Sequence, residues 1–559
     1  MNKTKDVKQW YPYADLVIKN ANIYTVDVTI QDIKEGNYDF TVIENGFIAV
    51  KEGKIIGVDE GDGASFVGAE TQIVDAERNT VIPGLLDSHM HALFAGIELR
   101  ETDCRNCKTL QEMLDLVRER SEREEEGVFL KANRFSELGW EDSAKLDCKA
   151  LDSVSGEHPV VAVRYCGHCI VANSKAMELA GITTDTPDPD GGSIGRFEDG
   201  TPNGWFYEPA GMNLILEHFP AVTERDCVDA IELIGRYLNR VGITSVIDCN
   251  LDFAGNRIYG IAKKEGKLSY RTNLTFYIDK AIGDVPYHIN RLYEMTAVTG
   301  FGDEVLKFNG IKVILDGIPD SGTAYMRKNY KHMPETRGFT TITREELSEI
   351  CKVASELNWQ MAVHAIGDAA VDMTLDAFEA GAEETDNKKN RNYIIHALFP
   401  HEDMMSRMRE LNVSVALQPT IYGDMGEEAF LDDEYKEINQ PCGMFFDNGI
   451  ICSGGSDFPV VDCNPFIGMA TAIDRVCLDG NVYGEQYRIN AKQALIMWTM
   501  NSAYISSDEE KLGSIEVGKL ADLVLIDTPL LESSADKIRS TKVLKTFLGG
   551  KLVYKSNVE

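Results

Sequence analysis

Among the ten histidines of this 559-residue chain, two stand one residue apart, as His89-Met90-His91 at the end of the apolar run Thr80–Ser88. In an extended strand, residues i and i+2 point to the same side, so both imidazoles can face one point in space. Imidazole nitrogens suit zinc and related transition metals, and a metal that acidifies its bound water makes a nucleophile at neutral pH. Other residues able to hold or serve a metal follow at long intervals: Lys312, His364, His396 and Asp457. Any one of them could be an ordinary hydrogen-bonded residue. Their placement is what binds them together, because each lies inside or just after a short β-rich run.

Those runs are the elements that must position the chemistry. After the His-x-His strand come Ile243–Asp248, Arg271–Ile278, Gly310–Leu315, Gln360–His364, Tyr393–His396, Val413–Leu417 and Gly449–Ser453. Helical spacing separates several of them: Thr343-Arg-Glu-Glu346 has capping-box spacing and opens an amphipathic run to Leu357. Asp368–Ala380 and His401–Leu411 also read as helices. Eight β-rich runs with intervening helices predict a (β/α)8 barrel over residues 81–509. Barrel enzymes place working groups at the C-terminal ends of the strands, so Lys312, His364, His396 and Asp457 should converge with His89 and His91. The stretch of about 99–241 is too long for a simple crossover and reads as an inserted subdomain capping the barrel mouth. Both chain ends, 1–80 and 510–559, are β-rich with Gly, Asp and Asn turns, and are expected to form one sheet domain. Gly513–Ile526 and Val543–Tyr554 each look like a strand pair.

A formal net charge of −34 argues against nucleic acid and anionic membrane surfaces as partners. No apolar stretch reaches membrane-spanning length, and Met1–Trp10 lacks a secretory h-region, so a cytoplasmic protein acting on a small molecule is the expectation. Twelve cysteines in so long a chain point to reduced thiols rather than a disulfide scaffold. The pairs Cys104/Cys107 and Cys166/Cys169 are too far apart for a compact zinc ribbon. Oligomeric state is not readable; a homodimer is only the prior.

The sequence resembles the amidohydrolase superfamily of metal-dependent hydrolases and, within it, the amidohydrolase-3, or YtcJ-like, branch. The superfamily likeness rests on Pro83-Gly-Leu-Leu-Asp-Ser-His-Met-His91, His364, His396, Gly455-Ser-Asp457 and the closing segment Gly513–Asp527. The branch likeness rests on Gly167–Ala176, Asp188–Gly195 and His364-Ala-Ile-Gly-Asp368. The resemblance implies a barrel joined to a composite β-sandwich built from both termini. It also implies roles: His89, His91 and Asp457 on a buried zinc or similar divalent ion, His364 and His396 on a second, and Lys312 as a carboxylated lysine bridging both. The implied reaction is hydrolysis of an amide-like carbon–nitrogen bond, of an N-acyl or N-formyl kind, by metal-activated hydroxide, with Asp457 relaying the proton. His168 matches a substrate-facing branch position, and Trp205-Phe206-Tyr207 could wall an apolar pocket or pack the insertion.

Three positions depart from the pattern: Ile395 replaces an acid, Cys166-Gly-His168 replaces Asp-Gly-His, and Ile318-Pro-Asp-Ser321 replaces small and basic residues. They leave substrate identity open. Two other readings stand beside the binuclear hydrolase. One is a single-metal deaminase or deacetylase using His89, His91, His364 and Asp457, with His396 moving protons. The other is a catalytically silent metal-binding regulator.

Overall fold

The apolar run Thr80–Ser88 reads as one strand, but the backbone divides it at Gly84. Thr80–Pro83 joins a sheet built from the chain ends, whereas Leu85–Met90 opens the barrel. The Gly84 N–H donates to the Asp522 carbonyl at 2.7 Å, and a Cβ there would lie 2.2 Å from Thr244 Oγ1. Only a residue without a side chain lets the run change sheets at so close an approach. The computed structural model describes residues 13–557 apart from 138–139, 141–144, 165–168, 252, 279, 281, 296, 320, 332, 386, 426–432 and 478–479.

Strands from both termini share that sheet, in the spatial order 551–555, 543–548, 523–526, 80–83, 16–24, 42–51 and 54–60, with 72–75 also paired to 16–24. Val81 sits among Ile18, Ile23, Leu523, Leu525 and Phe547, so residues from both ends of the chain fill one core. The expected strand pair in Gly513–Ile526 is corrected to a single strand, Leu523–Ile526. Gly513 and Gly518, at φ +84° and +100°, hold the preceding segment in turns instead.

The barrel strands run parallel in chain order: Leu85–Met90, Ile243–Leu251, Arg271–Ile278, Leu306–Ile314, Gln360–Ala365, Tyr393–His396, Ser414–Leu417 and Cys452–Gly454. Neighbours pair by parallel ladders from first to eighth, with register shifts in the three ladders among the first four strands. The seam between eighth and first is closed differently. Ser88 Oγ donates to the Gly454 carbonyl at 2.9 Å, and Ser453 Oγ donates to Ser88 Oγ at 2.8 Å. Beyond the strand ends, the Asp457 N–H donates to the His89 carbonyl at 2.8 Å and the His91 N–H to the Phe458 carbonyl at 2.9 Å. The capping box at Thr343 and Glu346 is formed and starts the helix Arg344–Glu356. The next helix runs Asp368–Glu384, longer than its apolar periodicity marks, and Glu402–Leu411 follows His401 as N-cap.

The chain forms two compact units: Met1–Ala92 with Ile234–Glu559, and Leu93–Leu233. The second begins and ends earlier than the expected 99–241. It holds a six-stranded sheet in the order 193–196, 202–207, 169–172, 160–164, 130–135 and 102–103. Alternation along Pro202–Tyr207 sends Phe206 into one core, while Trp205 packs the other face and donates from its indole N–H to the Leu146 carbonyl at 2.8 Å. Among the described residues, no helix is long and apolar enough to cross a membrane.

Candidate metal centre

His89 and His91 leave the first barrel strand on one side, as the two-residue period requires. Their rings lie 5.3 Å apart, centroid to centroid. The seam bonds bring Asp457 alongside, with its Oδ1 at 3.2 Å from His89 Nε2 and 3.0 Å from His91 Nε2. At those distances a conventional hydrogen bond is expected, yet the buried Oδ1 forms none of acceptable geometry among the described residues. The donor atoms of His89, His91 and Asp457 instead cluster within 4.8 Å of one another. Two imidazole nitrogens and one carboxylate oxygen are a donor set suited to a divalent transition ion.

His396 continues the cluster, 5.3 Å from His89 by ring centroids, and His364 lies 4.4 Å from His396. His364 Nε2 is buried without a hydrogen-bond partner among the described residues; Asp316 Oδ1 stands 3.9 Å away. Lys312 is 1% exposed on the fourth strand, where it pairs with Ala362, two residues before His364. The structure therefore brings together all six residues that the strand-end argument selected. His168 lies outside the described residues.

Electrostatics favour the protonation states that metal binding needs. Burial pushes His89 and His364 well below the ordinary imidazole range, helped by Lys312 near the first and by His396 near the second. Burial also takes His396 down to about 4. His91 is the exception: burial would lower it, but the close Asp457 carboxylate outweighs burial and raises it. For Asp457, burial is overcome by His89 and His91, so the carboxyl stays ionised well below its usual range. Burial lowers Lys312, with Cys249 and Asp457 opposing. A neutral amine is the form that can react with carbon dioxide, as an anionic carbamate bridge would require.

Two of the six sit on left-handed backbone, His396 at φ +77° and Asp457 at φ +58°. Such conformations are rare for residues with a Cβ and cluster at functional sites.

Residues behind the cluster were not selected from the sequence. His89 Nδ1 faces Cys249 Sγ at 3.2 Å, and His91 Nδ1 faces the Cys249 carbonyl at 3.3 Å. His396 Nδ1 contacts Gln418 Oε1 at 2.7 Å. Asp87 Oδ1 accepts from the N–H groups of His89 and Ser456, both at 3.1 Å, tying the first strand to the Asp457 turn. Cys249 and Gln418 occupy the C-terminal ends of the second and seventh strands, so a survey of every strand end would have found them. Asp316 holds the loop after strand four, its carboxylate accepting from the N–H groups of Tyr325, Ile366 and Gly367, each at 2.9 Å. The His364–Asp368 motif acts on the same loop. Asp368 accepts from Arg327 N at 2.6 Å and from His401 and Tyr435 at 2.9 and 3.0 Å, and a Cβ on Gly367 would lie 2.1 Å from the Tyr325 carbonyl. The eleven described cysteines are free thiols, and Cys166 lies outside the described residues.

Comparison with known proteins places the chain in a family and a fold. The sequence pattern of the amidohydrolase family matches residues 72–554. The chain is 28% identical to Protein LONG AFTER FAR-RED 3 of Arabidopsis thaliana, over 97% of this chain and 92% of that protein. It is 27% identical to an N-substituted formamide deformylase of Arthrobacter pascens, over 97% and 98% of the two chains. A metal-dependent hydrolase of Pyrococcus horikoshii OT3 superposes with a TM-score of 0.72 at 23% identity, covering 93% of this chain and 99% of that one, which is a likeness of fold.

Proposed function

The chain belongs to the amidohydrolase family, and from that premise we propose that it is a metal-dependent hydrolase cleaving the carbon–nitrogen bond of a small amide-like substrate. The observation that carries the proposal is the buried His89–His91–Asp457 cluster, whose Asp457 oxygen finds no hydrogen bond among the described residues. These three residues would hold one divalent ion, zinc by preference for this donor set. His364 and His396 would hold a second, with Lys312 as a carbamate between them. Such ions acidify water and polarise a carbonyl oxygen. Asp457, ionised at neutral pH, would take the proton of the attacking water on its carboxylate and return it to the leaving nitrogen. Buried imidazoles that stay neutral keep their lone pairs available as ligands.

The deformylase relative supports an N-substituted formamide as the first substrate class to try. Zinc-loaded protein should release amine from N-formyl or N-acyl amines, and Asp457→Asn should lower the rate by about 100-fold or more. Activity that survives this substitution would sink the assigned role. Loss of activity with the metal retained would exclude a silent regulator. Metal analysis separates the two enzymatic readings. About two ions per chain, falling in Lys312→Ala, supports the bridge. One ion per chain, unchanged by that substitution, supports a single-metal centre.

A further inference from the structure

We propose that Cys249 is the positioning residue of the His-x-His pair, fixing the tautomer and direction of both imidazoles from the second barrel strand. The inference rests on the metal-centre reading above and adds a residue to it. Where Nε2 gives its lone pair to a metal, Nδ1 must carry the ring proton, and that N–H needs an acceptor. His89 and His91 both present Nε2 to Asp457, so both must donate from Nδ1. Both find their acceptor in one residue. His89 Nδ1 lies 3.2 Å from Cys249 Sγ, and His91 Nδ1 lies 3.3 Å from the Cys249 carbonyl.

Sulfur is a weaker acceptor than oxygen, but this one works in a dry place. Cys249 is 2% exposed and packs with Ile247, Tyr393 and Ile395 in the barrel interior. The thiol's own hydrogen has a separate acceptor in the Ile247 carbonyl at 3.9 Å, which leaves a sulfur lone pair for the imidazole N–H. Sγ lies against the ring nitrogen that faces away from Asp457, so it orients His89 without joining the donors that share an ion with it. The opposite polarity, S–H donating to Nδ1, would put the proton on Nε2 and remove the ligand lone pair. A metal on His89 Nε2 therefore requires the Cys249 sulfur to accept rather than donate.

The test separates the acceptor from the volume of the side chain. Cys249→Val removes the acceptor at similar size; Cys249→Ser keeps one. Zinc affinity, measured by competition with a chromophoric chelator, should fall about 10- to 100-fold in Cys249→Val and stay within a few-fold of wild type in Cys249→Ser. Cobalt-substituted Cys249→Val should show a shifted visible spectrum, and Cys249→Ser should not, because only the first frees the His89 ring. If the valine variant does not fold, Cys249→Ala supplies the same comparison. Equal affinity for wild type and both apolar variants overturns the inference, as does equal loss in the serine and valine variants. A wild-type protein that binds no divalent metal overturns the underlying reading instead.

Discussion

His396 shows in one side chain how the site resists its own solvent chemistry. Its ring is 3% exposed, bonded to Gln418, and held at about 4 against an ordinary 6.5. Between those two values the unfolded chain binds a proton that the folded chain refuses, so stability falls as pH falls across that window. The loss is complete below about pH 4 and amounts to roughly 3 kcal/mol for this fully buried group. His89 and His364 act in the same direction, and His91 opposes them. Urea unfolding of metal-free protein should accordingly give a lower midpoint near pH 4.5 than near pH 7. His396→Gln should narrow that gap, and an unchanged gap would show that this imidazole is not the one being held neutral.

At the level of elements, the barrel was legible and its joints were not. Short, continuous β-rich runs separated by helical spacing located all eight strands, because barrel strands are buried on both faces and read as apolar throughout. Lys312, His364, His396 and Asp457 were legible because strand ends are where such a fold gathers ionisable groups. The division at Gly84 was hidden, since apolar residues on both sides satisfy either sheet. Cys249 was hidden because the predicted strand stopped at Asp248, one residue short, and thiols in cores are usually inert. Gln418 follows the seventh strand directly but carries no ionisable group, so a search restricted to ionisable strand-end residues passes over it. The same close contacts yield a mutational contrast. A Cβ at Gly310, on the Lys312 strand, would lie 2.4 Å from the Gln360 carbonyl oxygen of the next strand, whereas one at Gly260 meets nothing within 4 Å. Gly310→Ala should therefore cost about 1–3 kcal/mol, while Gly260→Ala, in the helix Phe253–Lys264, should be neutral or stabilising by about 0.5–1 kcal/mol. Thermal midpoints of the two variants decide it, and a reversed order would mean that the fourth and fifth strands separate freely.

Across the whole molecule, charge sets the response to solvent. With 90 acidic against 56 basic residues, the folded chain repels itself, and mobile ions relieve that repulsion. The thermal midpoint should rise by a few degrees between about 0.02 and about 0.3 M sodium chloride, and a flat response would show that local ion pairs already neutralise the surface.

The sheet that joins the two ends also orders events in time. Thr80–Pro83 leaves the ribosome well before its partner Leu523–Ile526, and His89 must likewise wait for Asp457. At roughly 5–20 residues per second, that interval is tens of seconds. Throughout it, an apolar strand and an incomplete ligand set depend on whatever else shields them. A nascent chain stalled short of residue 523 would hold every predicted ligand and still lack the strand that pairs with the entrance to its barrel. Chaperone demand should therefore be set by the gap between those strands more than by the length of the chain.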